Sequence, residues 1–77
     1  MTNMTFFRQQ AEASVARDTE SAKRWLSRGK RELAQRVVNN ALSDARVELG
    51  RVSMPGAREA VEWAICQLEI LLVEVSK

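Results

Sequence analysis

A chain of 77 residues has room for one small core, and its single cysteine and complete lack of histidine remove disulfide staples, the commonest metal ligand and the usual acid–base of enzymes. The net charge of +2 hides a division: residues 1–58 hold eleven cations and six acids (11 − 6 = +5), whereas residues 59–77 hold one lysine and four glutamates (1 − 4 = −3). The longest unbroken apolar run is "ILLV" at 70–73, far short of a bilayer span, and the N-terminal "MTNMTFFRQQ" lacks the basic-then-apolar pattern of a secretion signal, so a cytoplasmic protein is expected.

Helix 1 is expected over about 4–27. Its apolar stripe is weak: Met4, Phe7, Ala11, Val15, Ala22, Trp25 and Leu26. The small residues at its centre permit close approach but bury little area, so Phe7 and Trp25 anchor the ends. Such a helix suits packing along a partner better than forming a core.

Gly29 raises an architectural question. A glycine inside a helix costs roughly 1 kcal/mol relative to alanine, which weakens a helix without forcing a stop. The stripe continues in phase across it through Ala22, Leu26, Leu33 and Val37. Two all-α folds therefore stand open, a three-helix bundle with a turn near 28–30 or a long helical hairpin. Either one is expected to dimerise through helices 1 and 3.

Helix 2 is expected over about 30–49, with Leu33, Ala34, Val37, Val38, Ala41, Leu42, Ala45 and Leu49 on its inner half. Asn39 and Asn40 fall on the solvent side. The stretch "GRVSMPG" reads as a loop at 50–55, with Gly50 just past the helix end and Pro55 keeping Met54 extended. A connection this short makes helices 2 and 3 an antiparallel pair.

Helix 3, about 56–76, carries the strongest pattern. Ala57, Ala60, Val61, Ala64, Ile65, Leu68, Leu71, Leu72 and Val75 share one face and must be buried. Trp63, Cys66, Ile70 and Val73 step by 3, 4 and 3 along another face, the spacing of a helix-packing or oligomer seam, flanked by Glu59, Glu62, Glu69 and Glu74. Two stripes call for two neighbours, which makes helix 3 the central element of a single helical domain covering 1–77. Cys66 reads as a small apolar seam residue.

The segment "ELGRVSMPGAREAVEWAICQLE" (48–69) resembles the turn and recognition helix of GntR-type winged-helix repressors at Leu49-Gly50, Val52-Ser53 and Arg58-Glu59-Ala60-Val61. The resemblance covers about a quarter of the chain and implies a DNA-reading helix 3. The chain departs from that pattern through the extra Arg51 and through Gly56 at an apolar position. No run alternates with period two to build a wing, and Glu59, Glu62 and Glu69 place acid where phosphates would lie.

Six cations and one acid crowd "KRWLSRGKRELAQR" (23–36). On a regular helix Arg17, Arg24 and Arg28 share a face, with Lys23 and Lys30 to either side, and Arg31 joins them if the helix runs through Gly29. This face is either a solvated surface paired locally with Asp18, Glu20 and Glu32 or a site for a negatively charged partner. Arginine outnumbers lysine nine to three, and its planar fork suits carboxylates and phosphates. No nucleophile has a histidine to activate it and the glycines form no phosphate-cradling loop, so neither an enzyme nor a cofactor or metal site is expected. The chain reads as a non-catalytic protein that binds another macromolecule. A protein-binding regulator, such as an inhibitor or adaptor, comes first; a nucleic-acid-binding protein on the same face comes second and a structural oligomer subunit third.

Overall fold

In a computed structural model that describes the backbone of residues 3–77 and the side chains from Phe6 onward, three α-helices follow one another: α1 (Asn3–Ser27), α2 (Arg31–Arg51) and α3 (Pro55–Val75). No strand occurs among the described residues. Each helix packs against both others, and one buried cluster draws on all three: Ala22 from α1, Ala34, Val38 and Leu42 from α2, and Leu68, Leu71 and Val75 from α3.

Gly29 decides between the two expected folds in favour of the bundle. Its φ of +75° is a left-handed conformation that glycine adopts without the steric cost borne by other residues. The Lys30 N–H donates to the Trp25 carbonyl at 2.9 Å and the Gly29 N–H donates to the Leu26 carbonyl at 2.9 Å. These are the two reverse bonds of a Schellman motif, and they satisfy carbonyls that a simple chain break would strand. The stripe that stays in phase across residue 29 therefore belongs to two helices that fold back on each other.

The second turn is shorter than the spacing predicts. α2 runs through Gly50 to Arg51, so the Leu49-Gly50 pair behind the repressor resemblance lies inside a helix rather than in a turn. One glycine in a last helical turn costs too little to end it. Only 52–54 link the helices. Val52 and Met54 are extended, and Pro55 opens α3, where its missing N–H has no partner to lose. Arg58 donates to the Leu49 carbonyl at 3.3 Å near this turn, and Gln35 donates to the Ser76 hydroxyl at 3.3 Å at the other end, so α2 and α3 are antiparallel.

The inner stripes fall where the helical period puts them. On α3, Ala57, Ala60, Ala64, Leu68, Leu71 and Val75 are buried, with Val61, Ile65 and Leu72 half-buried. On α2, Ala34, Val38 and Leu42 are buried, and Asn39 and Asn40 are exposed. α1 contributes Ala22 to the buried core, with Val15, Trp25 and Leu26 packed against it. The side chain of Met4, assigned to the same stripe, lies outside the described residues. α1 thus completes the core of its own chain, a correction to its reading as a helix made for a partner.

The second stripe of α3 is not sandwiched within the chain. α1 and α2 both pack on the alanine–leucine side, leaving Ile70 55% and Val73 61% exposed and Cys66 in solvent. Trp63 alone is half-buried, beneath the Arg8 guanidinium of α1, whose Cζ lies 4.2 Å from the ring centroid. Two neighbours sharing one broad face replace the predicted pair on opposed faces, because three helices in contact need only one inward wedge each.

Candidate functional site

Five of the six basic residues flank the turn closed by Gly29, and Arg17 lies seven residues before Arg24 on α1. Arg17, Lys23 and Arg24 lie on α1, Arg28 and Lys30 in the turn, and Arg31 begins α2; all six are exposed. Arg17 and Arg24, seven residues apart, share the outward face of α1, roughly opposite Ala22. The turn prevents Arg31 from continuing that stripe, as it would on an unbroken helix, and places it at the start of α2.

Local acids neutralise little of this charge. Arg24 approaches Glu20 at 3.8 Å, both side chains well exposed, and the other five cations form no ion pair among the described residues. Asp18 and Glu32, the other acids expected to oppose them, also pair with none. An exposed pair at such distance contributes at most a few tenths of a kcal/mol. Arg28 instead lies over the half-buried Trp25, its Cζ 5.5 Å from the ring centroid. That placement turns one indole face toward the guanidinium and away from any stacked base.

The seam residues Cys66, Ile70 and Val73 form a separate apolar strip on the outer side of α3, edged by Glu59, Glu62 and Glu69. Glu69 is tied to Arg46 of α2 at 3.3 Å, the one interhelical ion pair among the described residues. Cys66 is an exposed thiol rather than a packed apolar residue, since the helices that would cover it lie on the other side.

A feature that the charge pattern does not single out lies between α1 and α2. An open groove of about 560 Å³ is floored by Ala64 and Leu68 of α3, and Asp18, Asp44 and Glu48 stand around it. Burial is the main cause that raises the Asp18 carboxyl above its usual value; Arg17 opposes this, and the charge of Asp44 adds to it. The available signal is the four-residue step from Asp44 to Glu48 beside the alanines of α2, although the same spacing describes any solvated helix edge. Among the described residues no group of three or more His, Cys, Asp or Glu side chains is placed to hold a metal ion, and no helix is long and apolar enough to cross a membrane. Comparison with protein families, with curated proteins and with solved structures finds no match to this chain.

Proposed function

We propose that the protein is a non-catalytic, protein-binding regulator, an inhibitor or adaptor, whose basic corner of Arg17, Lys23, Arg24, Arg28, Lys30 and Arg31 meets an acidic surface on its partner. The observation that carries this reading is the exposure of all six cations, five without an ion-pair partner among the described residues. Arginine forks that are not already engaged orient a carboxylate partner and speed its encounter. The reading places the protein in the cytoplasm, where the exposed Cys66 thiol stays reduced.

The same cations would suit a phosphate backbone, which makes nucleic acid the second reading. Trp25, half-buried beneath Arg28, is a poor stacking platform, and this favours a protein partner. The exposed Ile70 and Val73 support association of two copies as a further element of the proposal, which light scattering on the purified chain would detect as a doubled mass.

The test uses the wild type and an Arg17→Glu/Arg24→Glu/Arg28→Glu variant as baits in native host lysate, with and without nuclease. The reading expects a nuclease-resistant partner that the wild type retains and the variant loses, with helicity unchanged by circular dichroism. Loss of all capture on nuclease treatment selects the nucleic-acid reading. Undiminished capture by the variant returns the corner to a solvated surface.

A further inference from the structure

The groove between α1 and α2 has the form of a missing helix. Ala11, Ser14, Val15 and Asp18 line it from α1, at steps of 3, 1 and 3. The α2 wall runs from Val37 to Glu48 with the same alternation of three and one. A second depression of about 270 Å³ shares Ala11, Glu48 and Val61 with the first and continues to Phe7 and Val52. From Val37 to Glu48 the α2 wall extends about 16 Å at 1.5 Å per residue, roughly three helical turns, and the extended Val52 continues it. The wall and floor residues Ala11, Ala41, Ala45 and Ala64 are small enough to let a further backbone approach closely.

The charge around the main depression is of one sign. Asp18 stands on one wall and Asp44 and Glu48 on the other; no lysine or arginine lines this depression. None of the three carboxylates belongs to an ion pair among the described residues. We propose that this groove receives an amphipathic helix of a partner protein, apolar on the face that enters and bearing lysine or arginine along both edges. The helix-in-groove mode joins apolar anchors at three- and four-residue steps to charge complementarity at the rim. A cation beside Asp18 would also offset the burial and the Asp44 charge that disfavour its ionised form.

A second copy of this chain fits less well. The apolar strip of α3 carries Glu59, Glu62 and Glu69, which would face the groove's own acids. The outward side of α1 has the right charge, but beyond Phe6, Ala13 and Ala16 it offers little apolar surface to bury. A separate basic helix meets both requirements, and none of the six basic-corner side chains lines the groove.

The experiment titrates isotope-labelled protein with a peptide of ~18 residues, long enough to cover the groove, built with leucine and alanine on one face and lysine on both edges. A control peptide keeps the apolar face and replaces every lysine by glutamate. The lysine peptide is expected to shift the backbone amides of 11–18 and 37–48, and the glutamate peptide to leave them in place. Asp44→Lys/Glu48→Lys, at two exposed positions and with its fold verified by circular dichroism, should weaken the lysine peptide at least about tenfold. Ala41→Trp, which fills the groove, should weaken it comparably. An Arg24→Glu/Arg28→Glu variant, which leaves Arg17 beside Asp18, should bind the lysine peptide like the wild type, so failure of the basic-corner reading leaves this result standing. Equal binding of both peptides, shifts confined to the Ile70–Val73 strip, or undiminished affinity in the Asp44/Glu48 variant overturns the proposal. So does self-association of the unliganded protein that Ala41→Trp abolishes, because it assigns the groove to a second copy.

Discussion

The two halves of this bundle are built from the same three helices and differ mainly in side-chain volume. Toward the Gly29 turn, Val38, Leu42, Leu71 and Val75 meet around Ala22 and Ala34, and Leu42, Val38 and Val75 are the largest side chains buried without remainder. From the middle of α2 toward the Pro55 turn, Ala11, Ala41, Ala45, Ala57, Ala60 and Ala64 predominate, alongside Val15, Val37, Val61 and Leu68, and there the helices leave an open groove. Helical period decides which face turns inward in both halves. Whether that face seals depends on volume, because each buried methylene contributes about 0.8 kcal/mol and an alanine has none to add. One half therefore supplies stability and the other is left with surface to offer.

The sharpest way to break this contrast is to delete volume from each half. Leu42→Ala removes the largest fully buried side chain and should cost about 2–5 kcal/mol, the range for a core leucine whose cavity cannot collapse. A small domain holds only about 5–15 kcal/mol in total, so the chemical-denaturation midpoint should fall steeply or the fold be lost. Ala45→Ser, on the groove wall, should move the same midpoint by no more than about 0.5 kcal/mol. Comparable losses at the two positions would mean that the halves are energetically alike and that the groove is part of the core.

An intermediate effect is expected at the turn that joins α1 to α2. Gly29→Ala has open space for its methyl group, with nothing within 4 Å of the added Cβ, so its whole penalty is conformational. Forcing an alanine to φ +75° should cost about 1–2 kcal/mol, read as a lower thermal midpoint with helicity preserved at low temperature. A higher midpoint would show the chain straightening into the long hairpin, in which residue 29 is ordinary helix. In that form Arg31 would rejoin the stripe of Arg17, Arg24 and Arg28, so this one variant reports on both the fold and the layout of the basic corner.

The contrast between the halves also marks what the sequence makes legible. The stripes on α2 and α3 name their buried residues because 3.6-residue periodicity is a local property of the chain. Gly29 is ambiguous in the sequence because a mid-helix glycine and a C-terminal cap glycine share one letter; only the Trp25–Lys30 and Leu26–Gly29 bonds separate them. Ile70 and Val73 read as a helix-packing or oligomer seam for a related reason, and no helix of their own chain covers them. Period identifies a second apolar line without saying whether anything in the same chain is positioned to cover it. The groove is the least visible feature, since it arises from alanines on three helices whose deficit of volume appears only when they face one another. Its acids look like ordinary solvated edges until Asp18 and Asp44 are brought across it.

The smallest predicted effect lies at those acids, and its sign is informative. Burial first, and then the Asp44 charge, hold the Asp18 carboxyl above its ordinary value of 3.8, against the opposing pull of Arg17. A group whose folded pKa is raised binds its proton more tightly in the native state. Its favourable contribution is complete below pH 3.8 and is lost as pH rises through the folded value. At about pH 7 the ionised Asp18 is therefore a liability that Asp18→Asn removes, so the variant should be the more stable there. The advantage should shrink on acidification and vanish below about pH 3.8, where both side chains are neutral. Denaturation midpoints at about pH 7 and about pH 3 measure it, and a variant less stable at the higher pH would show that Arg17 outweighs burial at this site. Adding the lysine-edged peptide should then reverse the preference. With a cation seated against the groove the ionised Asp18 gains a partner, and the asparagine that stabilises the free protein should weaken the complex.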